Sequence, residues 1–445
     1  MAITGAVAAA VRKFDPYPND LLALDFAGVA TGGRPFYKRE GIIVPRYEML
    51  PGALSTGHAG FGTQQVNTAW RGFPANAPLI GDGGLGVWEG RTNSIRNPTG
   101  AGGSAGVWPT NWSPVSSTVG LTVTPVGQVI SAKGLPGFAF RVQGTATVPL
   151  FRLQLEGMGQ AAAAPGQIWI TALETELLAG DWSNVSNVYI SHFYRAASNV
   201  STGSATSPQR APASSGAEGW RTSDVAAPAN TTQVTPELDI TMSTTLPVDF
   251  TVAIYAPNLK LGADINDPPI LQTSGLAATR TAVAQSVGGL NLPPVGYIYA
   301  EWVQPIIQTT TRTYVWNVED FSSAKRLNLR ASAGGRDDIE FVVGDASTNS
   351  ALSIATPPSP GAVCRAVCAY DTTAAQMAFA FNGADQTAAR QLSADTIANA
   401  AIGLGQGGSR ANIGPNTGQF NSTLRRLRIV PGWPSEAERI ALTSA

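Results

Sequence analysis

Residues 297–442 form a run of short apolar segments separated by turn residues, and this run constrains the fold more than any other feature of the chain. Segments such as 297–303, 312–318, 363–370 and 424–430 are rich in β-branched and aromatic residues. Gly, Pro, Asn and Asp separate them, which is the pattern of strands joined by turns. The run therefore predicts a sandwich of two packed sheets rather than a helical or α/β domain.

Two short signals add detail to this run. Asn382-Gly383 follows Phe381, and this dipeptide predicts a two-residue hairpin turn. Ser435 is followed three residues later by Glu438, which predicts a capping box at the start of an amphipathic helix that ends the chain.

A second series of short apolar segments occupies residues 91–262 and predicts a second sandwich. A polar, Ser/Ala/Pro/Thr-rich insertion at 196–235 interrupts it and is expected to form one or two long loops. The clearest predicted strands of this series are 121–124, 138–142, 167–172, 187–194, 238–242 and 248–255.

The sequence thus predicts an all-β fold, with two tandem antiparallel β-sandwich (jelly-roll) domains after a loop-rich N-terminal segment. The predicted division is a segment at 1–90, a sandwich at 91–263, a linker at 264–292 and a second sandwich at 293–445. The first segment has few apolar runs and cannot bury much surface alone. We therefore expect it to wrap a neighbouring domain or to dock on a partner subunit.

Charge disfavours a nucleic acid or an anionic membrane as partner. The 29 basic and 30 acidic residues give a net charge of −1. No basic cluster stands out in the sequence, since residues 425–428 alternate with apolar positions and predict a strand with one solvated face. No apolar run approaches the ~18 residues of a membrane span. The basic residues near the N-terminus follow the apolar run, whereas in a secretory signal they precede it.

The sequence predicts neither a metal site nor a cofactor. Cys364 and Cys368 lie four apart, roughly 13 Å along a strand, too far for a disulfide with each other. Both are predicted to be buried small apolar residues. The two cysteines and two histidines are too scattered for zinc. Asp264 and Asp267 offer oxygens to calcium, but a simple turn explains them better.

The segment from Trp88 to Asn93, with Asn97-Pro98 and Trp112, resembles a junction in structural proteins of tailed phages. In those proteins an acidic-Gly-Arg-Thr-Asn motif precedes a carbohydrate-binding-module-like jelly roll and then a laminin-G/concanavalin-like jelly roll. Residues 254–262 are similar to the last strand of the first jelly roll, with Lys260 where an acidic residue is usual. Residues 427–438 are similar to the final strand and helix of laminin-G-like domains.

This resemblance implies a virion structural protein, such as a phage tail fibre or the head spike of a gene transfer agent. It implies attachment to host surface or capsular polysaccharide, and an N-terminal segment that meets other virion proteins. We further expect a homo-oligomer, assembled in the bacterial cytoplasm and carried on the particle. The alternatives are a purely architectural virion component and, less favoured, a polysaccharide depolymerase. The shared motifs are architectural and mark no catalytic centre.

Sugars stack their apolar C–H face on aromatic rings while their hydroxyls meet polar groups. Four tryptophans fall outside the predicted strands and are candidate carbohydrate-binding residues, together with Arg221 and Asp224 beside the last of them. The alternative is that each ring plugs a loop onto its own domain. The four are Trp108, Trp112, Trp182 and Trp220.

A further candidate surface lies on one predicted strand. Tyr189, Phe193 and Arg195 share one face, and His192 and Tyr194 share the other. One face must belong to the core, and the other could hold a glycan if it lines a concave sheet. A plain core or surface role is the alternative.

No catalytic residue is predicted. Asp337, Asp338 and Glu340 begin a strand, and they fit a solvated turn better than the carboxylate pair of a glycosidase. His58 and His192 have no nucleophile motif nearby. The remaining strand tryptophans of the last domain, Trp302 and Trp316, are predicted to be core.

Overall fold

A computed structural model gives the architecture of most of the chain. The residues that it describes are 17–26, 36–40, 42–44, 53–56, 62–66, 69–73, 80–81, 84–87, 91–115, 119–262, 269–271, 277–280, 284–305, 313–319, 326–331, 338–344, 349–355, 359–389, 400–404 and 422–444. Trp88, His58, Asp264, Asp267 and Asp337 lie outside them.

The described residues form strands β1–β32 and one helix, α1, so the all-β fold class is confirmed. In chain order the first strands are β1 Leu22–Asp25, β2 Phe36–Arg39, β3 Ile42–Val44, β4 Ala53–Thr56, β5 Gly62–Val66, β6 Ala69–Phe73, β7 Ile80–Gly81, β8 Gly84–Val87, β9 Arg91–Asn93, β10 Ser113–Pro114, β11 Leu121–Ile130, β12 Pro136–Gly144, β13 Leu150–Gln154, β14 Ala161–Ala162, β15 Trp169–Gly180 and β16 Val185–Arg195. The remaining elements are β17 Ser201–Thr206, β18 Glu218–Arg221, β19 Gln233–Met242, β20 Val248–Leu261, β21 Ala278–Arg280, β22 Ala284–Leu290, β23 Val295–Val303, β24 Thr313–Glu319, β25 Arg326–Ala331, β26 Asp338–Gly344, β27 Asn349–Ala355, β28 Val363–Asp371, β29 Gln376–Phe381, β30 Ala384–Ala389, β31 Ala400–Leu404, β32 Ser422–Pro431 and α1 Glu436–Thr443.

The chain divides into two compact units. Unit 1 comprises residues 1–57, 76–89 and 282–445, and unit 2 comprises residues 58–75 and 90–281. Of the described strands within residues 1–90, β1–β4, β7 and β8 belong to unit 1, and β5 and β6 belong to unit 2.

Unit 2 is a sandwich of a six-stranded and a five-stranded antiparallel sheet. Their orders are β10-β13-β19-β16-β17, with β14 also paired to β19, and β11-β12-β20-β15-β18. Apolar side chains at alternate strand positions meet between the sheets because successive side chains of a strand point to opposite faces. Phe140 and Val252 of one sheet share this core with Phe151, Ile190 and Leu238 of the other.

The polar insertion at 196–235 contains strands rather than only long loops, which corrects one expectation. β17 pairs with β16, and β18 pairs with β15. β17 is made of Ser, Thr, Gly and Ala, so its backbone hydrogen bonds, and not an apolar pattern, hold it in the sheet. Trp220 accordingly lies in β18 and not in a loop.

Unit 1 packs a ten-stranded sheet on a seven-stranded sheet. The first runs β3-β2-β1-β32-β23-β28-β29-β30, with β8 paired to β32 and to β7, and the second runs β27-β26-β25-β24-β31-β22-β4. Trp302 and Trp316 are fully buried in the core between them, which confirms their prediction. Leu22, Leu24 and Phe26 from the start of the chain belong to the same core.

Local predictions in unit 1 are confirmed. Asn382 and Gly383 join β29 to β30 with φ of 46° and 85°, the left-handed conformations that a two-residue hairpin turn requires. Ser435 and Glu438 form the predicted capping box at the start of α1. Cys364 and Cys368 are buried free thiols on β28, as expected.

One further expectation meets a different outcome. Glu340 lies within β26 and its Oε2 accepts a hydrogen bond from Arg330 Nε at 3.0 Å, so it is a buried strand residue and not part of a solvated turn. Across the described ranges, α1 falls short of the length and apolar character needed to cross a bilayer.

Candidate functional site

All four candidate tryptophans pack in or against the core of unit 2, and Trp220 of β18 is itself buried there. Trp112 is buried and its Nε1 donates to Asn97 O at 3.1 Å. Trp108 is half-buried, with its ring centroid 5.5 Å from that of Phe140. Trp182 lies 4.6 Å from Phe250, ring centre to ring centre. The packing of Trp108, Trp112 and Trp182 therefore fits the alternative hypothesis, in which each ring anchors a loop to its own domain.

The fourth tryptophan, Trp220, lines a cavity of about 340 Å³ together with the neighbouring Arg221. The cavity lies over β15, β18 and β20 of the five-stranded sheet. Asp224 is joined to it through Arg221, whose Nη2 donates to Asp224 Oδ1 at 2.7 Å. The other lining residues are Arg91, Leu135, Ile170, Ala172, Leu173, Glu174, Gly219, Tyr255, Ala256, Asn258, Lys260, Gly262 and Pro269.

A β-bulge in β20 shapes the floor of this cavity. Ala172 pairs with Asn258 and Glu174 pairs with Tyr255, so β20 advances three residues where β15 advances two. The extra residue in β20 is accommodated at Ala256, which has a positive φ of 46°. Bulges bend a strand and re-aim its side chains. The sheet is therefore interrupted where Tyr255 and Asn258 reach the cavity.

In the lining residues Glu174 and Arg221, two buried polar atoms have no hydrogen-bond partner among the described residues. They are Glu174 Oε2, an acceptor, and Arg221 Nε, a donor. The other Glu174 oxygen accepts from Lys133 Nζ at 3.0 Å, and Arg221 Nη1 donates to Thr222 O at 3.1 Å. Each of these two charged groups therefore makes a hydrogen bond through one of its atoms, while another of its atoms has no partner.

The aromatic residues of the wall are fixed by hydrogen bonds. Trp220 Nε1 donates to Thr175 Oγ1 at 2.8 Å, and the Arg210 guanidinium lies 4.5 Å from the Trp220 ring centre. Tyr255 OH donates to Glu176 Oε2 at 2.8 Å, and burial together with this carboxylate raises the pKa of Tyr255. The cavity wall is therefore pre-formed rather than assembled around a ligand.

Tyr189 and Phe193 lie on the other sheet of unit 2, away from the cavity. His192 and Tyr194 are fully buried, so their face of β16 is the core face, and Phe193 faces outward. The Phe193 ring lies between two guanidinium groups, with Arg152 Cζ at 4.8 Å and Arg195 Cζ at 5.4 Å from its centre. The structure therefore does not bring Tyr189 and Phe193 together with Trp220 and Arg221.

Two buried carboxylates lie on the same face of the six-stranded sheet, and sequence reasoning missed them. Arg152 Nε lies 2.8 Å from Asp239 Oδ1 and 3.5 Å from Glu237 Oε2. Arg195 Nη2 lies 3.3 Å from Glu237 Oε1. Burial raises the pKa of both acids. The ion pairs engage both carboxylates, although Glu237 Oε2 and Arg195 Nε have no hydrogen-bond partner among the described residues.

Sequence reasoning also missed Glu174, Tyr255, Asn258 and Lys260 of the cavity. A signal was present for Glu174, because Ala172, Glu174 and Glu176 alternate with Leu173 and Thr175 along β15. The bulge that brings in Asn258 has no such signature. Within the described ranges, no three His, Cys, Asp or Glu side chains are grouped so as to hold a metal ion.

Comparison with known proteins gives no family and several distant folds. No protein-family model and no curated protein matches the chain. The Ruminococcus gnavus IT-sialidase CBM40 bound to α2,3 sialyllactose is 14% identical and covers 34% of this chain and 83% of its own, with a TM-score of 0.28. A heptameric SAP-like pentraxin from Limulus polyphemus is 13% identical over 36% of this chain and 75% of its own, with a TM-score of 0.29.

Domains LG4-5 of the mouse laminin α1 chain are 14% identical and cover 69% of this chain and 93% of their own, with a TM-score of 0.26. These similarities are too low to support a functional argument. The function is therefore argued from the chemistry of the cavity.

Proposed function

We propose that the cavity of unit 2 binds a sugar unit of a polysaccharide and does not cleave it. The observation that carries the proposal is the unpartnered pair Glu174 Oε2 and Arg221 Nε in the cavity wall. A sugar hydroxyl donates one hydrogen bond and accepts others, so neighbouring hydroxyls can satisfy this acceptor and this donor together. Leaving such atoms buried and unpaired costs about 1–3 kcal/mol each.

The size and apolar part of the cavity fit the same ligand class. About 340 Å³ lies at the lower end of small-molecule pockets, which span roughly 300–1,000 Å³. Leu135, Ile170 and Ala256 provide an apolar wall for the C–H face of a pyranose ring. Asn258 adds an amide at the bulge. The lining therefore combines an apolar wall with few polar groups, as sugar sites do.

The small number of acidic residues at the cavity favours binding without hydrolysis. Glycoside hydrolysis uses two carboxyl groups that flank the scissile bond. Among the described residues that line the cavity, Glu174 is the one acid, and the nearby Glu176 already accepts a hydrogen bond from Tyr255.

A single sugar site is weak, because hydroxyls exchange water for protein partners at little net gain. The proposal therefore includes a homo-oligomer that displays several copies and gains avidity. It also includes a place on a phage or gene-transfer-agent particle, attached to host capsule, and this part rests on the sequence resemblance alone. A purely architectural role is the second candidate, and the packing of all four candidate tryptophans in or against the core favours it.

The test is binding of the intact protein to an array of bacterial surface glycans, followed by titration of each hit. Arg221→Lys keeps the charge and removes Nε, and Glu174→Gln keeps the shape and removes the charge. Each change should weaken binding about tenfold, the effect of one charge-assisted hydrogen bond. Arg141→Gln, at an exposed ion pair with Asp249, is the control.

Absence of binding by the intact oligomer would overturn the proposal and favour an architectural role. Binding that both cavity variants retain would overturn the assignment of the site. New reducing ends after incubation with purified capsule would show a depolymerase instead.

A further inference from the structure

Three arginines of unit 1 converge on one buried glutamate. Glu301 has a side chain that is 1% exposed. Arg425 Nη1 lies 3.2 Å from its Oε1, while Arg426 Nη1 at 3.2 Å and Arg365 Nε at 3.4 Å approach its Oε2. We name Arg365, Arg425 and Arg426 the arginine cluster.

Strand register and a bulge create this cluster. Glu301 of β23 pairs with Arg365 of β28 on one side and with Arg426 of β32 on the other. The register then shifts, because the next pair is Trp302 with Leu424, and Arg425 is left as the extra residue of β32. A bulge turns the extra side chain out of the normal alternation. Arg425 and its neighbour Arg426 can therefore both reach Glu301.

The cluster has more positive charge than its acidic partners neutralise. Arg426 also pairs with Asp25 at 3.3 Å, so three guanidinium groups face two carboxylates. For Arg365 and Arg425, Glu301 is the one acidic partner among the described residues. By contrast, the next arginine of β32, Arg428, is matched one to one by Asp20.

The cluster is also open to solvent while its anchor is not. The side chains of Arg365, Arg425 and Arg426 are 25%, 27% and 37% exposed. A guanidinium carries five N–H donors in a planar fork that matches an oxyanion. Glu301 contacts one side of each guanidinium group, and the exposed N–H donors remain available to an anion. The geometry is that of a pre-positioned anion site.

We propose that the arginine cluster binds the carboxylate, sulfate or phosphate groups of an acidic polysaccharide. An extended basic stripe would indicate a nucleic-acid backbone, but the cluster is a single row on a chain whose net charge is −1. Repeating acidic groups on a flexible glycan can use one such site per copy. This site is in unit 1 and is argued independently of the cavity in unit 2.

Replacement of one arginine tests the proposal without loss of the fold, since two arginines still neutralise Glu301. The full-length protein is titrated at low salt with polygalacturonate, dextran sulfate and neutral dextran. Arg425→Gln should weaken binding to the acidic polymers about tenfold and flatten its salt dependence, and neutral dextran should not bind. Arg141→Gln removes the same charge from an exposed pair in unit 2 and should have little effect.

Equal weakening by Arg425→Gln and Arg141→Gln would overturn the proposal, because net charge would then explain the binding. Absence of binding to both acidic polymers would overturn it as well. If duplex DNA binds at least as tightly and with the same dependence on Arg425, the ligand of the cluster is a nucleic acid and not a polysaccharide. Arg221→Lys separates the two sites, since it should leave unchanged the loss of acidic-polymer binding that Arg425→Gln causes.

Discussion

Asp25 Oδ1 lies 3.3 Å from Arg426 Nε, although 401 residues separate the two in the sequence. The contact arises because β1 and β32 are antiparallel neighbours, with Asp25 opposite Arg426 and Leu24 opposite Leu427. The first strand of the chain is therefore a structural part of the C-terminal sandwich.

We predict that Leu24→Ala destabilises unit 1 by about 2–5 kcal/mol. Leu24 is fully buried in the core, and a large-to-small change there loses transfer free energy and leaves a cavity. Calorimetry of the full chain should show a lower transition temperature. Leu178→Ala, at a half-exposed position of unit 2, is the control and should have little effect. Equal effects of the two changes would show that β1 contributes little to stability.

Asn93 joins three segments of unit 2 and should be hard to replace. Its Nδ2 donates to Pro257 O at 3.2 Å and Ile270 O at 3.0 Å, and its Oδ1 accepts from the backbone N–H of Ile95 and Leu259. All four hydrogen-bonding positions of a fully buried amide are used. This gives a physical reason for the Asn that ends the junction motif.

Asn93→Ala leaves two carbonyls and two N–H groups without this partner, so we expect a loss of about 3 kcal/mol or more in the free energy of unfolding. Chemical denaturation of the full chain measures it. Gln128→Ala, which removes a single part-buried hydrogen bond to Gly100 O, provides the comparison. A loss no larger than that of the Gln128 variant would refute the role assigned to Asn93.

The features that sequence reasoning predicted correctly are local. Asn382-Gly383 and Ser435 with Glu438 specify a turn and a helix cap because the interacting groups lie within three residues of each other. Trp302 was predicted to be core from the apolar pattern of its own strand. Such features depend on a few neighbouring dihedral angles and on strand alternation.

The features that sequence reasoning missed depend on pairing between distant strands. The arginine cluster requires a bulge at Arg425 and a register that sets Arg365 beside Glu301, sixty residues or more away in the sequence. The cavity likewise depends on a bulge at Ala256. One-residue shifts in register exchange the two faces of a strand, so these sites cannot be read from composition or periodicity.

The two cysteines should resist thiol reagents until the protein unfolds. Burial raises the pKa of Cys364 to about 12 and that of Cys368 well above its usual value, and the thiolate is the reactive form. Titration with a disulfide reagent at pH 8 should be slow in buffer and rapid in denaturant, with two thiols released per chain. Rapid reaction of either thiol in buffer would contradict its buried position on β28.

The last prediction concerns His192 and acid stability. Burial lowers the pKa of His192 to about 3, from about 6.5 in an unfolded chain. Its Nδ1 lies 3.2 Å from Thr171 Oγ1, while its Nε2 has no partner among the described residues, so nothing there would stabilise the imidazolium. Below pH 6.5, His192 therefore binds a proton in the unfolded state but not in the folded state.

A lowered histidine pKa makes stability fall as the pH falls from 6.5 towards 3. Between pH 7 and pH 5 the loss from this one group is about 2 kcal/mol, at roughly 1.4 kcal/mol per pH unit below pH 6.5. His192→Asn keeps a polar group near Thr171 and removes the titration. Urea unfolding at pH 7, 6 and 5 should show a steeper decline for the native protein than for the variant, because all other titrating groups are common to both. Parallel declines would mean that His192 becomes protonated in the folded state.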